Sequence, residues 1–189
     1  MLKLIAGLVL FYLSHASVFA RAQRERLRPR LGDGLRRGLV SLLALAGVAL
    51  IVWGFADYRA GGYVQLWDPP VWARHLAFLL MLPAFIMLAA AFAPGHIKAR
   101  LGHPMLAAVK TWALAHLLAN GDLGSIILFG SFLAWGVAAR VAARRRGERA
   151  VVPAPSWRAD AIAVIAGAVA WWLTLTWLHA WLTGVPLVG

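Results

Sequence analysis

Six apolar segments frame this chain, because its charged residues fall almost wholly between them. The segments run roughly Leu2 to Ala20, Leu39 to Ala56, His75 to Phe92, Pro104 to Ala119, Leu123 to Val141 and Ala161 to Val185. Each reaches or approaches the roughly 20 residues that an α-helix needs to cross a bilayer, and the fourth is the shortest. In hydrocarbon every backbone polar group must be bonded internally, so only helices or closed barrels can span. A barrel requires alternating segments of about ten residues, and none occurs here. The expected fold is therefore all-α: a polytopic membrane helix bundle of about six transmembrane helices, forming a single domain over residues 1–189.

Composition agrees. At 62% hydrophobic residues and a mean hydropathy of +0.74, the chain is too apolar for a soluble domain of its length. Ten Trp and eight Phe suit interfacial anchoring and close packing in lipid. The formal charge of +12 invites a nucleic-acid reading, but the distribution of the charge argues for topology instead. Seven Arg lie between Arg21 and Arg37, Lys98 and Arg100 follow the third segment, and six Arg lie between Arg140 and Arg158. If all six segments span, these fifteen charges share one side, and the other side has only Lys3, Arg59 and Arg74. The positive-inside rule then places the basic loops in the cytoplasm, with both termini facing outward. Lys3 before an apolar run and the Ala20-Arg21-Ala22 site also resemble a signal peptide, but the arginines that follow resist export, so the first helix is expected to be retained.

Among smaller features, Gly130, Ala134 and Ala138 recur every fourth residue and are expected to let another helix approach closely. The segment 61–70, GGYVQLWDPP, reads as an ordered outer loop with Trp67 and Trp72 as interfacial anchors. No cysteine is present, which excludes thiolate metal sites, iron–sulfur clusters and covalent haem attachment. No acidic residue falls near a span centre, which argues against an ion-coupled transporter built on buried carboxylates.

Ionisable groups inside a membrane are costly, so each is a candidate site. Lys110 lies six residues after Pro104, about 9 Å into its helix, where its stem can snorkel towards the basic side. His116 lies about 18 Å beyond Pro104 and shares a helical stripe with Ala108, Trp112 and Asn120, a plausible wall for a flat ligand. His15 is flanked at helical spacing by Phe11, Tyr12 and Phe19, with Ser14 beside it. Two neutral imidazoles in lipid, without cysteine, suit non-covalent haem with axial histidines; the alternative is two histidines hydrogen-bonded across helices. His15 lies about 9 Å from the basic side and His116 about 18 Å. Ligation of one iron therefore needs helix 1 to extend beyond Ala20, helix 4 to start outside the hydrocarbon, or the helices to tilt. His96 and His103 belong to the basic rim, as solvated residues or as alternative ligands and proton carriers. His179 sits among Trp172, Trp177 and Trp181, where interhelical hydrogen bonding competes with ligand contact.

The run 94–135, PGHIKARLGHPMLAAVKTWALAHLLANGDLGSIILFGSFLAW, resembles the NnrU family of bacterial membrane proteins, as do FYLSHA at 11–16 and the outer loop. That family takes its name from genes associated with nitrite and nitric oxide reduction. It is similar to 15-cis-zeta-carotene isomerase, a membrane protein that uses haem b to isomerise a central cis double bond. The resemblance implies haem b with His15 and His116 as axial ligands and His103 as the His-Pro histidine; Trp112 and Asn120, on the stripe of His116, are then the expected cofactor-binding neighbours. Where the isomerase is expected to carry another histidine, this chain has Asp57-Tyr58-Arg59, which makes Tyr58 a secondary candidate with His96, His103, His179 and Lys110. Two functions follow as expectations: a redox-gated isomerase acting on a polyene or other lipophilic molecule, or a haem or quinol electron-transfer or accessory protein with a redox partner. An accessory membrane protein without cofactor is the third reading. The sequence leaves the oligomeric state open.

Overall fold

The computed structural model describes residues 1–16, 32–148 and 151–187. Phe19, the Ala20-Arg21-Ala22 site, the arginines from Arg21 to Arg30 and Arg149 lie outside them. The described residues form helices α1 (Leu2–Ser14), α2 (Asp33–Ala60), α3 (Val71–Ala90), α4 (His96–Leu101), α5 (Pro104–Ala119), α6 (Leu123–Arg145) and α7 (Trp157–Leu173). A π-helical turn, Thr174–Leu178, leads α7 into a last short helix, α8 (His179–Thr183). There is no strand among the described residues, so the all-helical expectation holds.

Among the described residues, four helical stretches are long and apolar enough to cross a membrane: 34–60, 71–90, 123–145 and 157–183. α1 and α5 are shorter apolar helices. α5 coincides with the expected segment because Pro104, at its first position, needs no hydrogen-bond partner for its nitrogen, and because Asn120 leaves helical backbone angles. Basic and small residues carry α2 and α6 well beyond their apolar cores. An arginine beyond the core of a span costs little when its head reaches the interface.

Contacts group the chain into two compact units, Met1–Val64 and Gln65–Gly189. The first is a hairpin of α1 on α2. A Cβ built on Gly7 would lie 2.6 Å from the Ile51 nitrogen, one on Gly47 would lie 2.8 Å from the Phe11 nitrogen, and one on Gly54 would strike the Leu4 nitrogen. The backbones approach too closely there for any side chain. Lys3 closes the open end, with Nζ 2.5 Å from Asp57 Oδ2 and 4.0 Å from the Trp53 ring centroid.

In the second unit α3 packs on both α5 and α7, and α5 also carries α6. Gly167 of α7 meets the Ile86 backbone at 2.6 Å from a built Cβ, so helix-to-helix contact depends on small residues here too. The expected small-residue face on α6 is not the packed one. Nothing lies within 4 Å of a Cβ built on Gly130, and Ala134 and Ala138 are exposed. α6 instead buries Gly124, Ser125, Leu128, Phe129, Gly136, Ala139 and Ala143. Aromatic bulk at Phe129 and Phe132 turns the helix, because both rings pack on Trp112 of α5, at 5.1 and 5.5 Å.

Candidate functional site

His116 is the centre of the aromatic layer between α5 and α6. Its Nδ1 lies 2.9 Å from the Trp112 carbonyl oxygen one turn earlier. A carbonyl only accepts, so the ring proton sits on Nδ1 and Nε2 carries the lone pair. Among the described residues that Nε2 makes no hydrogen bond. The ring stacks on Phe129 at 4.4 Å with 28° between planes, and Trp112 flanks it at 5.1 Å. Two aromatic neighbours and one backbone bond thus fix the imidazole with Nε2 unspent. This is the arrangement that a metal-ligating histidine uses, with the second nitrogen bonded to a carbonyl that sets tautomer and orientation.

The turn after α5 fixes how that helix ends. Asn120 donates from Nδ2 to the His116 carbonyl at 2.9 Å, one turn back, where the helix ends. Gly121 accepts from the Leu66 and Trp67 nitrogens at 2.9 and 3.2 Å, and a Cβ on Gly121 would strike the Trp67 carbonyl. The GGYVQLWDPP loop is therefore ordered from Gln65 onward by the Asn-Gly-Asp turn. Asp122, only 1% exposed, accepts from Ser125 N and Ser125 Oγ at 2.9 and 2.6 Å, so this buried carboxylate caps α6.

His179 lies in the same unit. Its Nδ1 donates to the Val185 carbonyl at 2.8 Å, again leaving the proton on Nδ1. It follows the π-helical turn, in which Thr174 returns its hydroxyl to the Ala170 carbonyl. The interhelical hydrogen bond expected for His179 is replaced by local ones, to Val185 and Thr183 at the end of its own helix.

The remaining histidines of this unit sit at its basic end. Asp160 accepts from the backbone nitrogens of His96 and Ile97 at 2.9 and 3.0 Å and from His96 Nδ1 at 2.8 Å. His96 also stacks on Trp157 at 4.0 Å. Gly95 has no side chain because a Cβ there would strike Asp160. His96 is thus a clamp between α4 and α7. His103 caps α5 and donates from Nε2 to the Glu148 carbonyl at 2.6 Å, so its proton is on the opposite nitrogen from that of His116. Neither is simply a solvated rim residue. Lys98 and Arg140 bond the carbonyls of Ala91 and Leu101 near helix ends, where cations are favoured. Beyond the spans, Arg146 is raised above the ordinary arginine value by its hydrogen bond to Glu148.

In the first unit His15 ends α1, its Nδ1 2.9 Å from the Phe11 carbonyl and its ring stacked on Phe11 at 4.3 Å. The pattern repeats that of His116: an Nδ1 bond one turn back, on an aromatic neighbour. Among the described residues α1 stops at Ser14, short of the expected Ala20. Tyr58 is buried, and its hydroxyl accepts from the Val64 nitrogen at 3.0 Å. It closes the turn after α2, while Asp57 is engaged by Lys3.

The family model described as NnrU protein matches residues 3–187 of this sequence. The chain belongs to the NnrU family. No curated protein and no solved structure matches it. For an NnrU protein, the structure brings His116, Trp112 and Asn120 together on one helix and adds Phe129, which sequence reasoning missed. Its signal was present in the block FGSFLAW, but one sequence does not say which aromatic of α6 faces α5. Among the described residues no three His, Cys, Asp or Glu side chains form a metal-binding group.

Proposed function

We propose that this NnrU protein is a haem b-binding integral membrane protein in which His116 is an axial ligand of the iron. The observation that carries the reading is the fixed His116 imidazole, with Nδ1 spent on the Trp112 carbonyl and Nε2 left to coordinate, between Trp112 and Phe129 in an apolar helix pair. Aromatic and aliphatic neighbours suit a flat macrocycle and exclude water. His15, with its own Nδ1 bond to Phe11, is proposed as a second histidine that would hold haem. Haem bound in this way supplies a redox-active iron whose potential depends on its axial ligands and burial.

The resemblance to 15-cis-zeta-carotene isomerase carries the finer proposal, a redox-gated cis-trans isomerase acting on a lipophilic substrate such as a polyene. A haem or quinol electron-transfer or accessory role in nitrite and nitric oxide respiration is the alternative. His116 and His15 would hold the haem in either case; a ferrous spectrum that responds to carbon monoxide or substrate would favour the isomerase, and one that does not would favour the carrier. For topology, we propose that the end of the second unit bearing Lys98, Arg100, Arg140, Arg144 and Arg145 is cytoplasmic in the inner membrane.

The test is haem content. Protein purified in detergent from haem-replete cells should carry haem b by the pyridine haemochrome assay, with His116→Ala losing most of it. Wild-type protein without haem contradicts the proposal.

A further inference from the structure

Lys110 is a cation inside an apolar helix to which no role has yet been given. Among the described residues its ammonium makes no hydrogen bond and no ion pair, unlike Lys3, Lys98 and Arg140, whose partners are named above. Yet the protein makes room for it. Its stem crosses Gly136 of α6, where a built Cβ would lie 2.9 Å from Lys110 Cγ. The α6 helix thus forgoes a side chain where the lysine passes. Beside it runs an open groove of about 210 Å³ lined by Ala107, Lys110, Thr111, Leu114 and Leu133. The Thr111 hydroxyl, like the ammonium, has no hydrogen-bond partner among the described residues.

Position fixes what this groove can hold. Lys110 lies six residues after the first residue of α5, about 9 Å along it. Side chains on a helix lean towards its N-terminus, here the end that bears Lys98, Arg100, Arg140 and Arg144. The ammonium therefore points towards headgroup level, while Ala107, Leu114 and Leu133 offer apolar surface along the hydrocarbon. Arg140, one turn beyond Gly136, is occupied by the Leu101 carbonyl. A polar, cationic mouth on an apolar groove is complementary to an amphiphile with an anionic head. A soluble anion would leave the apolar wall unmatched, and a zwitterionic lipid would bring its own cation to the lysine.

From this geometry we infer that the groove binds one anionic phospholipid, its phosphate on the Lys110 ammonium and Thr111 hydroxyl and an acyl chain along Ala107, Leu114 and Leu133. This lipid site is independent of haem.

Native mass spectrometry of the full chain, titrated with phosphatidylglycerol or phosphatidylcholine of matched acyl chains, tests it. Wild type is expected to favour phosphatidylglycerol for its first bound lipid roughly fivefold, the ratio that one lysine near an anionic surface confers. Lys110→Gln should lose that preference, Lys110→Arg should keep most of it, and Arg144→Gln should leave it unchanged. Equal binding of the two lipids by wild type overturns the inference without any variant. So does a preference that survives Lys110→Gln and falls in Arg144→Gln, which would assign it to the basic loops. Inorganic phosphate that displaces the first lipid at equal concentration would overturn it as well, by making the site one for a soluble anion.

Discussion

His116 and Phe129 lie face to face across α5 and α6, ring centroids 4.4 Å apart and planes 28° from parallel. The stack does two things: it joins the helices, and it stops the imidazole rotating about its own axis. Replacing Phe129 with Leu keeps most of the apolar volume but removes the aromatic face. The variant should be less stable by about 1 kcal/mol, the usual worth of an aromatic pair beyond its area. Thermal unfolding in detergent measures this, and an unchanged melting temperature would show that the stack contributes nothing.

The clamp at Asp160 should be worth more. Its carboxylate serves two backbone N–H groups of α4 and the His96 ring. Asp160→Ala leaves these donors without their acceptor and should lower the melting temperature. Asp160→Asn keeps one carboxamide oxygen and should lie between the two. Proteolysis around residues 93–103 should accelerate in the same order. An Asn variant less stable than the Ala variant would contradict this account of the clamp.

Asp122 caps α6 from a fully buried position beside the turn that ends the His116 helix. Asp122→Ala should cost about 1 to 2 kcal/mol, in the range of strong N-caps. Where haem is bound, it should also lower haem retention, because α5 and α6 meet at this turn. Ser125→Ala removes only the hydroxyl partner and should have a smaller effect on both readouts.

Two glycine-to-alanine changes should have opposite signs. At Gly54 a methyl group meets the Leu4 backbone, which cannot yield without parting α1 from α2, so Gly54→Ala should destabilise the hairpin by about 1 to 3 kcal/mol. At Gly130 the space is open, and Gly130→Ala should be neutral or stabilise by up to about 1 kcal/mol through helix propensity. Melting curves of the two variants read this directly. Equal effects would mean that the close approach at Gly54 is not a feature of the folded protein.

Much of the fold was legible because hydropathy and length govern any helix that must sit in lipid. α5 was found to the residue, since Pro104 and the Asn120-Gly121-Asp122 turn are strong local signals. The packed faces were not legible. Gly130, Ala134 and Ala138 have the spacing of a contact stripe, whereas α6 gives way to its neighbour at Gly136, and the close backbone approaches elsewhere are at Gly7, Gly47, Gly54 and Gly167. A stripe of small residues says that a helix can approach, not that one does. For the site, His116, Trp112 and Asn120 were placed on one face by periodicity alone, but only coordinates reveal that Asn120 is turned to the backbone. Lys110 was read as snorkelling; its notch at Gly136 depends on the register between two helices, which no single-chain pattern encodes.

Absorption spectroscopy of the detergent-purified protein, oxidised and then dithionite-reduced, tests the central claim most directly, with His116→Ala and His15→Ala measured alongside. The account predicts a Soret band with sharp ferrous peaks in wild type, and its loss or a shift to a different ligation state in His116→Ala. A wild-type spectrum without haem, from cells that make it in excess, would contradict the account. Intact, unshifted haem bands in His116→Ala would contradict it equally, and would return His116 to the role of a packing residue between Trp112 and Phe129.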